Sequence, residues 1–419
     1  MAGSPRETGR SGILHGVACV LTMAFCGACA GASGSVGGHR APSIPRTAVN
    51  VDGGDTALVI AGEEYAAGKV RQLLGGEHYR DLWAAPIRVP VLNLSTFAGG
   101  LTPLRQGGGR QTLSLRLEAA DGRQFVFRTV AKNHREILPE NLRGSPVGDI
   151  LQDQVSSMNP AGALVVDDLA HALGVHHAHP LLVLAPDDER LGAFRSAFAG
   201  RLGLLEEYPV AGRAGSAVIA GADRIVSTGK LFEILDRHGG ARVDARSYLT
   251  ARLLDMVVGD WDRHAEQWRW ARRRTNGRDV YYYPLPRDRD QAFARLDGLI
   301  PRIVDSSVRQ MVSFSDDLED VSGLMYSGRI IDRRILADLD KPAWDAVAAF
   351  VAGALTDEVI EAAVRRMPAP YHALRGAWLA AALKSRRDRL EQASERFRRV
   401  VAASGPPADN CLEVCNNED

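Results

Sequence analysis

Two acidic runs carry the side chains best suited to chemistry, Asp260-Trp261-Asp262-Arg263-His264 and Asp288-Arg289-Asp290. Upstream stand a glycine triplet, Gly107-Gly108-Gly109, and two cations, Arg128 and Lys132. These are the parts that transfer of a phosphoryl group from ATP requires. Glycine backbone N–H groups can approach phosphates because no Cβ intervenes. A cation neutralises the phosphates, one aspartate handles the acceptor proton, and another holds a divalent metal.

The elements that must position these residues follow from periodicity. Leu113, Leu115 and Leu117 alternate with Ser114 and Arg116, which is strand spacing. Asp121-Gly122 predicts a tight turn and Gln124–Arg128 the returning strand, so the glycine loop leads into a hairpin whose far strand ends in a cation. A helix is expected over Ala161–Leu173, with Val165, Val166, Leu169 and Leu173 on one face and Gly174 as its stop. His179–Leu184 reads as a strand and Leu204–Tyr208, with Glu206-Glu207, as a connector. Beyond it the chain turns mainly helical. Asp244 caps a helix that buries Leu249, Leu253, Met256 and Val257, ends at Gly259 and delivers the first acidic run. Trp268 and Trp270, the turn Asn276-Gly277 and Val280–Tyr283 form a second hairpin, which delivers the second run. The three tryptophans Trp261, Trp268 and Trp270 read as packing residues. The cluster Lys384, Arg386, Arg387 and Arg389 reads as a solvated helix face.

On these residues the chain resembles several atypical kinase groups. Asp262-Arg263-His264-x-x-Gln267 looks like the Asp-Arg-His-x-x-Asn catalytic loop of phosphoinositide kinases and their atypical relatives. Asp288-Arg-Asp290-Gln-Ala-Phe293 looks like the metal loop of CotH-type kinases, and Leu169-Ala-His-Ala-Leu-Gly174 is similar to a helix-and-strand step of HipA-type kinases. Residues from about 99 to 400 resemble more closely a kinase-like region of bacterial envelope proteins, sometimes joined to metallophosphoesterase or outer-membrane barrel modules. The resemblance implies an α+β, bilobal, protein-kinase-like fold, with a β-rich N-lobe over about 56–204 and a mainly helical C-lobe over about 209–403. It implies ATP with Mg2+ or Mn2+ as cofactors, Asp262 as base within a catalytic set that includes His264 and Gln267, Asp290 as chief metal ligand and Asp288 as helper. Gln267 stands where a metal-binding Asn is usual, with the same amide on a longer stem. Arg128 or Lys132 would meet the donor phosphates beside Gly107, Gly108 and Gly109. No obvious glutamate on the Ala161–Leu173 helix pairs with that cation, which leaves Asp153, Asp167 or Asp168.

Two rivals stand beside the kinase reading. One is a catalytically silent, pseudokinase-type envelope module that binds a partner or nucleotide. The other is a metal-dependent hydrolase using Asp260, Asp262, His264, Asp288 and Asp290. His176, His177 and His179 match no common ligand spacing and read as polar loop histidines.

Across 419 residues, 51 basic side chains balance 51 acidic ones, which gives no reason to expect nucleic acid as a partner. The expected partners are a nucleotide and an acceptor that is protein, glycan or lipid. Arg6 and Arg10, the apolar stretch Ile13–Phe25 and the small residues Gly27-Ala28-Cys29-Ala30 predict a signal sequence over residues 1–30. Cleavage after Ala30 and lipoprotein processing at Cys29 compete, and a lipid on Cys29 would be the sole contact with a membrane. Residues 31–55 read as a tether and 404–419 as a tail, around a kinase-like domain over 56–403. Cys411 and Cys415 can form a local disulfide in an oxidising compartment. The expectation is an exported protein of the periplasm or cell envelope. Mass spectrometry of the mature protein should find its N-terminus at Cys29 or Gly31, with diacylglycerol selecting the former; a mature chain that keeps Met1 refutes export.

Overall fold

The computed structural model describes residues 47–51, 55–108, 111–210, 222–237, 239–274, 280–299 and 309–403. Cys29, Cys411, Cys415, Gly109 and the turn Asn276-Gly277 lie outside them. The architecture is mixed α+β.

Strands β1 (Ala48–Val51), β2 (Thr56–Ile60) and β3 (Pro86–Pro90) form a small antiparallel sheet. A second, five-stranded sheet contains β4 (Leu101–Gly107), β5 (Ser114–Ala119), β6 (Gln124–Thr129), β7 (Leu181–Leu184) and β8 (Leu202–Tyr208), in the order β4-β5-β6-β8-β7. Leu115, Leu117 and Ala119 of β5 are buried while Ser114, Arg116 and Glu118 are half-exposed, the alternation that the sequence carries. Gly122 closes the β5–β6 turn at a φ of 76°, in the left-handed region that favours glycine.

Two segments differ from expectation. Leu101–Gly107 is itself a strand, so Gly107 and Gly108 lie at the turning end of a β4–β5 hairpin. Its Pro103 and a register shift between Pro103 and Arg105 are tolerable because β4 is an edge strand. Leu204–Tyr208 is no connector but most of β8, paired with β6 on one side and β7 on the other. Gly203 permits that pairing, since an added Cβ would lie 2.3 Å from the Phe127 ring.

Helices α1 (Pro146–Asp153) and α2 (Gly162–Ala172) intervene between β6 and β7. Val165, Val166 and Leu169 of α2 are buried, and Gly174 ends the turn with a φ of 64°. Strands β9 (Arg224–Ser227), β10 (Ala241–Val243), β11 (Trp268–Arg274) and β12 (Val280–Pro286) form a third sheet, ordered β10-β12-β11-β9. Before β11 runs α3 (Ala245–Val258), buried along most of its length. The Asp244 carboxylate accepts from the Ser247 N–H at 2.8 Å, and Gly259 closes the other end at a φ of 68°. Tyr248 packs between Trp268 and Trp270, with ring centroids 5.0 and 5.6 Å away, so these tryptophans are core. Helices α4 (Arg329–Leu336), α5 (Lys341–Ala354), α6 (Asp357–Val364), α7 (Ala369–Asp388) and α8 (Leu390–Ala403) follow to the end of the described residues. One continuous apolar core joins the strands to these helices. Among the described residues no helix is long and apolar enough to cross a membrane.

The basic end of α7 is only partly a solvated face. Lys384 and Arg387 pair with Asp357 at the surface. Arg386 is buried and donates to the carbonyls of Met256, at 2.7 Å, Val257, at 2.8 Å, and Ser315, at 3.0 Å. It therefore satisfies the Val257 carbonyl, which the C-terminus of α3 leaves without a helical partner, and is a second donor to the Met256 carbonyl, which also accepts from the Gly259 N–H at 3.2 Å. Burial pushes the Arg386 pKa down to about 10, which still leaves it charged at neutral pH. Arg386→Met should strip these acceptors and lower the unfolding free energy in urea by about 3 kcal/mol or more, at about 1–3 kcal/mol per buried unsatisfied group. Lys384→Met, at the exposed end, should leave the midpoint near wild type.

Candidate active site

The cleft is built where β6, the loop after α3 and the loop after β12 converge. Register places its upper parts together, because Gly107 pairs with Ser114 and Ser114 with Arg128. The glycine tip and the strand-end cation thus share one end of the sheet. Gly108 has a φ of 102°, and an added Cβ would lie 2.0 Å from the Thr112 carbonyl oxygen. The tight tip itself demands glycine there.

Both cations meet the second acidic loop. Lys132 forms an ion pair with Asp290, and Arg128 Nη1 lies 3.4 Å from Asp288 Oδ2. Residues from the β6 end and the β12 end are thereby joined across 158 positions of chain. Burial pushes the Asp288 carboxyl up, but Arg128, Lys132 and Arg287 outweigh it and hold the group below its ordinary range. Burial also pushes the Lys132 ammonium down, against the pull of Asp288 and Asp262. Asp288 has a φ of 52° and Phe293 a φ of 63°, left-handed backbone uncommon for such residues and worth a functional question. The loop is anchored at both ends. The Arg287 N–H donates to the Gln267 carbonyl at 2.9 Å, and the Phe293 N–H to the Val258 carbonyl at 2.8 Å.

Arg263 binds the two acidic loops into one unit. Its fully buried Nη1 donates to the Arg287 carbonyl at 2.9 Å and the Asp288 carbonyl at 3.0 Å. Its Nε faces Asp255 at 3.3 Å, and Nη1 faces Asp260 at 3.4 Å. Arg289 pairs with the same two carboxylates. Asp260 feels desolvation most, then Arg263, Arg289 and the neighbouring Asp255, and its pKa is pushed up to about 6. Sequence reasoning missed this role of Arg263; the signal available was a cation between two acids directly after a capped helix.

Asp262 is part-exposed, with Oδ1 3.7 Å from His264 Nε2. His264 Nδ1 accepts from the Glu266 N–H at 3.3 Å, and the Gln267 amide lies 3.5 Å from His264 Nε2. Gln267 is thus turned to His264. None of the three acids considered as partners of the cation takes that place. Asp153 accepts from Arg80 at 2.6 and 2.8 Å and from Arg71 at 2.5 Å, while Asp167 and Asp168 face Arg366. Those guanidiniums stand nearer, and Lys132 turns to Asp290 instead. Asp260 is already enclosed by Arg263 and Arg289, which leaves the hydrolase arrangement without one of its ligands. Val126, Glu206, Tyr208 and Leu285, with Asp167 and His177, line a small cavity of about 40 Å³ beside Arg128 and Asp288.

No family model matches the sequence, and no curated protein matches it. Among solved structures the chain is similar to the Helicobacter pylori proinflammatory kinase CtkA, at 11% identity and a TM-score of 0.37, covering 71% of this chain and 95% of that one. It is also similar to a Shewanella oneidensis MR-1 chain from the toxin–antitoxin complex of HipA, HipB and operator DNA, at 13% identity and a TM-score of 0.37, covering 71% of this chain and 67% of that one.

Arg263→Lys keeps the charge but loses the planar fork whose Nη1 reaches both carbonyls while its Nε faces Asp255. It should lower stability in urea by about 1–3 kcal/mol. Amide exchange should rise across Arg287–Phe293 and hold in β5 and β6; a uniform rise would show that Arg263 does not tether this loop.

Proposed function

We propose that this chain is an exported, kinase-like phosphotransferase of the cell envelope, using ATP with Mg2+ or Mn2+. The observation that carries this reading is the pairing of Lys132 with Asp290 and Arg128 with Asp288. Cations for donor phosphates face carboxylates for a hard divalent ion, and strand register puts the glycine tip at the same end of the sheet as Arg128. Two carboxylates suit Mg2+, whose usual ligands are one or two carboxylates plus substrate phosphates. Asp290 and Asp288 would hold it, and when bound it would neutralise charge on the transferring group. Lys132 and Arg128 would turn to the phosphates. Asp262 would orient an acceptor hydroxyl and take its proton as the new O–P bond forms and the bond to the departing nucleoside diphosphate breaks.

The silent module is the second reading, and one observation favours it. The Gln267 amide faces His264 rather than the acidic loop.

Calorimetric titration with a non-hydrolysable ATP analogue, with and without Mg2+, separates the roles. Asp290→Ala should abolish the Mg2+ dependence and Asp288→Ala weaken it less. Lys132→Ala and Arg128→Ala identify the phosphate cation by a loss of up to about 1.5–3 kcal/mol in binding. Asp262→Asn should leave nucleotide binding intact and depress turnover by about 10²–10⁴-fold. Metal-independent binding that is equal in every variant supports the silent module and sinks the kinase mechanism.

A further inference from the structure

We infer a metal site for a borderline dication such as Zn2+, formed by Asp167, His177 and His179. It uses neither Asp288 nor Asp290 and does not depend on the nucleotide reading, although Asp167 and His177 line the same small cavity as Arg128 and Asp288. The three side chains offer ligand atoms within 4.8 Å of one another, the sole such grouping of histidine, cysteine and acidic residues among the described residues. One oxygen, Asp167 Oδ1, lies 2.8 Å from His177 Nε2 and 2.7 Å from His179 Nδ1. Asp167 is buried on α2, and its other oxygen faces Arg366 at 3.6 Å.

Hydrogen bookkeeping at His177 points to a cation. Its Nδ1 lies 2.6 Å from the Val175 carbonyl oxygen, which can only accept, so Nδ1 carries the proton. In a neutral ring Nε2 then presents a lone pair to the carboxylate, two acceptors at 2.8 Å. Either a second proton or a metal ion must stand between them. A histidine that donates one N–H to a backbone carbonyl and offers its other nitrogen is the usual arrangement around a metal, because the carbonyl fixes tautomer and ring orientation. His176 takes no part, as its Nε2 faces Arg273 at 3.0 Å.

Two imidazoles and a carboxylate, with no thiolate, suit Zn2+ with water completing the set; hard Mg2+ prefers oxygen alone. Metal bonds of about 2.0–2.1 Å in a tetrahedron separate ligand atoms by about 3.3 Å, so the donors must spread by about half an ångström. His179, with half its side chain exposed, has room to withdraw. The ion would tie α2 to the segment entering β7, across the Gly174 turn. Sequence spacing conceals the site, because the histidines alone match no ligand pattern and the carboxylate comes from the preceding helix.

The full chain, stripped with a chelator, is titrated with ZnCl2 by calorimetry and with Co2+ by visible absorption. Wild type and Asp290→Ala should each bind one Zn2+. His177→Ala and His179→Gln should each lose more affinity than the 10–100-fold typical of an outer-shell change, with the Co2+ absorption lost. His179→Gln, at the exposed ligand, carries the test alone if His177→Ala proves unfolded by circular dichroism. Absence of stoichiometric Zn2+ in wild type, unchanged affinity in folded histidine variants, or loss in Asp290→Ala alone overturns the site and leaves a hydrogen-bonded Asp–His–His brace.

Discussion

The Arg263 guanidinium is divided between carboxylates of α3 and its following loop on one side and backbone carbonyls of the Asp288 loop on the other. The rest of the cleft depends on that division. A buried ion pair seldom stabilises a fold by itself, because desolvation offsets its attraction. Here the ionic cluster is balanced: Arg252, Arg263 and Arg289 face Asp255, Asp260 and Asp332. Tyr248 adds a hydrogen bond to Asp332 at 2.7 Å. What such a cluster contributes is geometry. Carbonyl acceptors at 2.9 and 3.0 Å fix the acidic loop to α3, and α3 is itself fixed at both caps and covered by Arg386. Asp288 can hold its left-handed backbone because its neighbours over-determine it.

The sheet side of the cleft is positioned by a different force. Strands β5 and β6 are set in register by alternating Leu115, Leu117, Phe125 and Phe127, and a slip of one residue would turn those side chains to the other face. That register places Arg128 beside Ser114 and, through it, beside Gly107. Apolar burial thus decides where a charged group and a glycine tip meet. The two halves of the cleft are then joined by Lys132–Asp290 and Arg128–Asp288, side-chain contacts between units that different forces have already placed.

Much of this was legible because local signals agreed with the tertiary outcome. Asp244 and Gly259 mark both ends of α3, the Leu alternation marks β5, and the acidic runs fall directly after a helix and after a hairpin. Other features depended on partners far away in sequence. Strand β8 lacks alternation in Leu204-Leu205-Glu206-Glu207, since its first half is sandwiched in the sheet and its second lines the cleft. Strand β4 is obscured by Pro103 and exposed Leu104, both permitted at an edge. Arg386 is indistinguishable by composition from its solvated neighbours until the carbonyls of Met256 and Val257, some 130 positions earlier, arrive beside it. Asp167 likewise looks like a helix-surface acid until His177 and His179 fold back on it.

Under the proposed function, the ion pairs across the cleft impose a thermodynamic link between metal and nucleotide. A divalent ion alone, taken up by Asp288 and Asp290, would leave Arg128 and Lys132 part-buried beside added positive charge. A nucleotide alone, drawing the two cations to its phosphates, would leave the two carboxylates unpaired beside added negative charge. Each single exchange strands groups that cost several kcal/mol when desolvated without a partner. Bound together, metal and nucleotide re-pair every group: phosphates with cations, carboxylates with the metal. Affinity for either ligand must then rise in the presence of the other, by the same factor in both directions. The ion pairs across the cleft are in this sense the source of the coupling, because they set the reference state against which each ligand binds.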